Sequence, residues 1–282
     1  ALQSAAQQTA AGMELRRDVA KLEMSVLQQV DSLSSHQQPH PVFLCHGAGT
    51  TALALTSVAT ALAHTGEFGT VYGISDTFLT SNNADFDFSS IEEVALAMAD
   101  LVQEAISGQP RLQSGRPSVF LGGWSYGGVV SFACARLLEE RGVHVCALLL
   151  MDAPLGQAGG RSLKADAVKG LRDAMGEELS DRVASHFRDC NRLLGQYHPA
   201  IGKPLMCPVF DVRPSDSAID FLSATACRSL TRAFWSHIAI PGATHFSLVQ
   251  SRYAKQVGTP PELLRFVRQS FATGSRRRSA SE

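Results

Sequence analysis

From residue 41 onward, short apolar runs alternate with longer stretches in which apolar residues recur every three or four positions. The runs are "PVFLC" (41–45), "GTVYGIS" (69–75), "PSVFLGG" (117–123), "HVCALLLMD" (144–152), "MCPVFDV" (206–212) and "WSHIAI" (235–240). Brief, apolar and bounded by Gly, Pro or polar residues, they predict buried strands. Between them, "TALALTSVATALAH" (51–64), "GGVVSFACARLLEERG" (127–142) and "PPELLRFVRQSFA" (260–272) carry helical periodicity. A further helix is marked by a capping-box pair, Ser90 and Glu93, followed by the stripe Ile91, Val94, Ala95, Met98, Leu101, Val102 and Ala105. Strands alternating with helices predict an α/β fold, a mainly parallel sheet covered on both faces.

Three segments depart from this alternation. Residues 1–40 are rich in Gln, Ser and Ala, and Leu15, Val19, Leu22, Val26, Val30 and Leu33 recur at helical spacing. They predict a leader with one amphipathic helix, ending at "SSHQQPHP" before a body spanning 41–272. Residues 155–203 are charged and helical in character and contain no strand, which predicts an inserted helical lid. The tail "TGSRRRSASE" (273–282) reads as disordered.

Composition narrows the function classes. The 282 residues carry a formal net charge of −1, so no broad attraction to nucleic acid or to a membrane surface is implied. Apolar runs are far shorter than the roughly 20 residues of a membrane helix, and the start of the chain lacks the pattern of a signal peptide. The absence of an initiator Met suggests a piece of a longer polypeptide. The six cysteines form no CxxC pair and mostly lie in apolar runs, the pattern of reduced thiols in a cytoplasmic protein with no metal site.

The chemistry gathers around "FLGGWSYGGV" (120–129). Ser125 stands between a predicted strand and a predicted helix, flanked by Gly123 and Gly127. That is the context a G-x-S-x-G nucleophile needs, because only small residues let strand and helix approach around a strained turn. A serine nucleophile needs a basic partner, and that base an orienting acid. Of the nine histidines, His245 in "IPGATHFSLV" follows the last strand on a loop, where the base belongs. Two acids compete. Asp152 ends the run "LLLMDAP" just before Pro154 and has the stronger case, with a helix cap as its other reading; Asp216 in "VRPSDS" follows the next strand. Asp211 lies inside that strand and reads as structural. The oxyanion hole requires two backbone N–H donors, assigned to Tyr126 and to Ala48 in "CHGAGT", with Gly47 the neighbouring choice for the second.

Taken together, "GGWSYGG", "LLLMDAPLG" and "IPGATHF" resemble the terminal thioesterase domains of polyketide and nonribosomal peptide synthetases, the fungal non-reducing polyketide synthases above all. "SHFRDCNRLLGQYHP" is similar to the end of that family's lid, and the resemblance runs from about Pro41 to Ala272. It implies an α/β-hydrolase fold and a product-releasing thioesterase. An acyl carrier domain of the same synthase delivers a polyketide chain on phosphopantetheine, and no cofactor is bound. Ser125 would take the chain, His245 would act as base and acid, and Asp152 would hold the imidazole. Trp124, Leu155, Phe187, Leu194 and Tyr197 are expected to line the substrate chamber. A chamber that excludes water favours attack by the chain's own groups, so cyclisation is expected to compete with hydrolysis. The alternatives are a nonribosomal peptide thioesterase and a stand-alone esterase or lipase. A binding protein on this fold would have lost a member of the triad.

Overall fold

In the computed structural model, residues 21–30, 40–81, 85–107, 117–155, 177–199, 202–217 and 222–276 are described. Among the described residues, seven strands form one sheet: β1 (Leu22–Gln28), β2 (Val42–Cys45), β3 (Val71–Asp76), β4 (Ser118–Trp124), β5 (His144–Met151), β6 (Val209–Pro214) and β7 (Trp235–Ile240). Their order is β1-β3-β2-β4-β5-β6-β7. All neighbours run parallel except β1, which is antiparallel to β3. The helices are α1 (Thr56–Ala63), α2 (Ile91–Ser107), α3 (Tyr126–Glu140), α4 (Glu177–Gln196), α5 (Ala224–Leu230), α6 (Ser251–Gly258) and α7 (Pro261–Arg276). The expected α/β class is therefore the class found.

The period-two geometry of the strands sorts their side chains into two cores. Phe43 and Cys45 of β2 enter the core closed by α2 and α3, whereas Val42 and Leu44 enter the one closed by α1, α6 and α7. β2 is buried along its whole length, as a central strand covered on both faces must be. α2 starts where its cap was expected, with Ser90 Oγ accepting the Glu93 N–H at 3.2 Å. The reciprocal half of the box is shifted by one residue, because Glu93 Oε2 accepts from the Ser89 amide at 2.9 Å.

The main correction concerns the first forty residues. Leu22 and Val26 fit a helical stripe by spacing, yet residues 22–28 form the edge strand β1, with Leu22 paired to Asp76 and Met24 to Ile74. Leu22, Met24 and Val26 also alternate, and a strand lets Leu22 and Leu27 reach both cores. Docking pairs the backbone N–H and C=O groups along the open edge of β3, which would otherwise be left to water. Residues 22–28 thus belong to the body rather than to a leader. Leu15, Val19 and Leu33 lie outside the described residues. At the other end α7 continues to Arg276, four residues into the tail read as disordered. Among the described residues, no helix is long and apolar enough to cross a membrane.

Candidate active site

Ser125 joins β4 to α3 with φ 55° and ψ −119°. A non-glycine residue at positive φ is strained by roughly 1–3 kcal/mol, and the surroundings must hold it there. The Ser125 N–H is accepted by Met151 O of the next strand at 2.8 Å, and the Ser125 carbonyl accepts from the Gly128 N–H at 3.0 Å. The flanking glycines are required by contact. A Cβ on Gly127 would fall onto the carbonyl oxygens of Cys45 and His46, and one on Gly123 onto the backbone of Gly127. A Cβ on Gly128 would meet the Ala153 Cβ at 2.6 Å. α3 consequently starts pressed against the ends of β2, β4 and β5. Trp124 and Tyr126 on either side are buried, while Ser125 itself is partly exposed.

Asp152 immediately follows β5 and is the other non-glycine residue of positive φ among the described residues, at 48°. Its N–H is accepted by Val212 O at 2.8 Å. Its carboxylate is 0 % exposed and divides its two oxygens. Oδ2 lies 2.6 Å from His245 Nδ1, and Oδ1 accepts from Ser217 Oγ at 2.6 Å. Asp216 is exposed on the turn after β6, and Asp211 is paired inside that strand with Arg213 Nε at 2.9 Å. The carboxylate that meets the histidine is therefore Asp152. His245 retains 14 % side-chain exposure. Its carbonyl accepts the Trp124 indole N–H at 3.1 Å, and the two rings are 5.2 Å apart. Residue 124 thus ties the histidine loop to the turn that presents Ser125.

The loop after β2 supplies the second wall. Gly47 O accepts from Thr50 N at 3.1 Å and Thr50 Oγ1 at 2.9 Å, and His46 Nδ1 lies 2.8 Å from it. The Gly49 N–H is accepted by His186 Nδ1 at 2.9 Å. Among the described residues, the amides of Gly47 and Ala48 have no acceptor. Tyr126 carries the first amide of α3, which has no partner within the helix by its position.

Several residues expected to line a chamber do something else. Trp124 is 3 % exposed, with its one polar atom spent on His245. Leu155 and Leu194 are buried in the α2–α3 core. Tyr197 packs against the same core, where burial pushes its hydroxyl up to about 12. Leu155, Leu194 and Tyr197 thus pack the insertion against the body. Of the expected residues in the insertion, Phe187 keeps a place beside the loop after β2, half-buried next to Gly49. The described part of the lid, α4, packs on the loop after β2 and on the end of β3. Val183 lies against Gly49, and Arg182 donates to the carbonyls of Phe78 and Ser81. Residues 156–176 of the expected lid lie outside the described residues.

Sequence reasoning missed Ser217 and the group behind the 46–50 loop. Ser217 lies one residue beyond the acid it had weighed, and nothing in "VRPSDS" marks it. The group is His46, Asp76 and His186, the one cluster of metal-ligand type among the described residues. Burial lowers the His46 pKa below its usual value. Burial would raise that of Asp76, but the hydrogen bond from His186 and the two nearby imidazoles outweigh it and hold the carboxyl below the usual range. All six cysteines are buried and unpaired, and burial raises their pKa values, so none is a competing nucleophile.

The parallel sheet, the strained serine turn and the histidine loop after the last strand define the class, an α/β hydrolase. The chain belongs to the thioesterase domain family, whose model matches residues 40–270. Among its relatives, orsellinic acid synthase armB of Armillaria mellea is 40% identical over 67 residues, 24% of this chain and 3% of that protein. Non-reducing polyketide synthase pks27 of Aspergillus flavus is 26% identical over 171 residues, 49% of this chain and 8% of that one. The chain thus spans a small fraction of these synthases. Solved structures with the same fold include the type II thioesterase BorB from the borrelidin biosynthetic cluster, at TM-score 0.61 and 24% identity over 81% of this chain and 91% of that one. The NocB thioesterase domain from the nocardicin cluster aligns at TM-score 0.57 and 20% identity over 85% and 96%.

Proposed function

We propose that this domain releases an acyl chain, of polyketide type, from the phosphopantetheine thioester of an acyl carrier domain in the same synthase. The observation that carries the reading is the Asp152–His245 contact of 2.6 Å beside the strained Ser125 turn, in a chain of the thioesterase family. The similarity to fungal non-reducing synthases supports the substrate class.

In this reading Ser125 Oγ attacks the thioester carbonyl while His245 Nε2 takes its proton. The carbonyl oxygen gathers negative charge, which the amides of Tyr126 and of Ala48 in the 47–48 loop stabilise. The carbon–sulfur bond breaks, and the imidazolium returns its proton to the departing thiolate. The chain is then an ester of Ser125. In the second half His245 deprotonates a hydroxyl, an enol or water, the new nucleophile attacks the ester, and Ser125 Oγ recovers the proton. Asp152 fixes the Nδ1–H tautomer throughout and steadies the imidazolium. Ser217, on the other carboxylate oxygen, keeps Asp152 turned toward the histidine.

The low exposure of His245 limits bulk water at its ring and favours a nucleophile carried on the bound chain. Purified domain incubated with its carrier domain bearing the loaded acyl thioester, with mass analysis of the product, tests both statements. Release of a cyclised product is expected. A linear acid alone would leave the thioesterase reading intact and remove the cyclisation, and no release at all would remove both.

A further inference from the structure

Behind the 46–50 loop lies an Asp–His pair that the reaction above does not use. His186 of α4 and Asp76 at the end of β3 are both buried. His186 Nδ1 accepts the Gly49 N–H at 2.9 Å, so that nitrogen carries the lone pair and Nε2 carries the proton. Nε2 hydrogen-bonds Asp76 Oδ2, while Asp76 Oδ1 accepts the Phe78 N–H at 3.0 Å. The ring stacks on His46 at 5.5 Å and on Phe78 at 5.9 Å, and Phe86 meets it edge-on at 5.2 Å. Every polar atom of the imidazole is spoken for and its plane is fixed.

The same protonation pattern argues against a metal among His46, Asp76 and His186. A metal on His186 Nε2 would displace the proton there. Nδ1 could then accept from Gly49 only as an imidazolate. The nitrogen of His46 that faces the cluster, Nε2, already accepts the Asp76 N–H at 3.3 Å. A buried carboxylate and two buried imidazoles are costly where leucines would pack, and that cost needs a return.

The return is visible in the loop. Gly47 O is held from one side by His46 and Thr50, and Gly49 N from the other by His186. The peptide units between them are fixed at both ends, and Gly49 takes φ +74°, which a side chain would resist. With Gly49 N engaged, the amides of Gly47 and Ala48 are left for an anion. The geometry points to Asp76 and His186 as positioning residues that set the 47–49 amides, so that docking of α4 completes the oxyanion hole. The unit mirrors Asp152–His245. In each, a carboxylate holds one imidazole nitrogen, but here the free nitrogen aims at a backbone N–H instead of a serine. This inference rests on the thioesterase reading proposed above.

Three variants test it, with a short acyl thioester of N-acetylcysteamine as substrate and a fluorophosphonate as label. His186→Leu should lower kcat by on the order of 10²-fold with KM changed about twofold or less, the pattern of a weakened oxyanion hole. His186→Asn places an amide oxygen near the position of Nδ1 and should recover most of that loss. Asp76→Asn must keep its oxygen toward the Phe78 N–H, which leaves its NH2 group facing His186. That reverses the tautomer, sets an N–H against the Gly49 N–H and should lower kcat roughly tenfold or more while the protein still unfolds in one cooperative transition. Should His186→Leu not fold, Asp76→Asn, which exchanges one atom, decides the matter. Wild-type kcat in folded His186→Leu or Asp76→Asn, or no recovery in His186→Asn, would overturn the inference. Absence of a fluorophosphonate adduct on Ser125 in the wild-type protein would instead overturn the thioesterase reading beneath it.

Discussion

Two turns at the centre of the carboxyl edge and one loop beside them form the site, and they are held in different ways. Ser125 and Asp152 hang from the sheet by their own backbone amides, each bonded to a carbonyl of the adjoining strand at 2.8 Å. The loop after β2 adds to its backbone bonds a set of side-chain ones, from His46, Thr50 and His186, the last 137 residues along the chain from Gly49. A backbone anchor survives most substitutions, whereas a side-chain clamp is lost with one. Ser125 and Asp152 are therefore insulated from α4, and the loop after β2 is not.

The largest break expected within the backbone-held centre is electrostatic. Asp152→Asn preserves the turn but loses the charge that selects the His245 tautomer, and should cost on the order of 10⁴ in kcat. Asp216→Asn, at an exposed position, should leave kcat within about twofold, as surface substitutions away from a site do. The opposite result in steady-state kinetics would move the acid to Asp216. Ser217→Ala removes a hydrogen bond to a charged group worth about 1.5–3 kcal/mol, so a loss of roughly 10–100-fold in kcat is expected, with an unchanged fold by circular dichroism. Trp124→Phe keeps the aromatic packing and deletes only the N–H that holds the His245 carbonyl, worth about 1 kcal/mol and so a fall of about fivefold. Equal kcat for Trp124→Phe and wild type would show that the histidine loop stands without this tie.

How far the chain could be read follows the same division. The strands from β2 to β7 are marked by local runs, and the elbow is marked by glycines whose missing Cβ atoms the contacts demand at Gly123 and Gly127. Spacing narrowed the carboxylate to two candidates, and the 2.6 Å contact with His245 separates them. β1 was misread because Leu22 and Val26 satisfy a helix as well as a strand, and only the open edge of β3 decides between them. Leu155 and Leu194 were read as lining a chamber, since an apolar residue on an inserted helix looks the same whether it faces substrate or body. The pairing of Asp76 with His186 spans 110 residues, and no local pattern announces it.

The smallest effect concerns acid. Burial lowers His40 to about 4 and holds His46 below its usual value. Below about pH 6.5 the unfolded chain takes up protons at both residues, while the folded chain does not until the pH is lower still. The unfolded state then binds more protons, so stability declines as pH falls from about 6.5 toward the folded values. Thermal unfolding midpoints that decline over this window are expected, and a flat profile would contradict it.

The central claim is that the chain becomes an ester of Ser125, and covalent labelling tests it most directly. The domain, treated with an alkyl fluorophosphonate, digested and sequenced by mass spectrometry, should carry one adduct on Ser125. The adduct should be lost in Ser125→Ala, whose circular dichroism should match the wild type. A folded wild-type protein that takes no label, or takes it on another residue while Ser125→Ala still turns over thioester, would contradict the account.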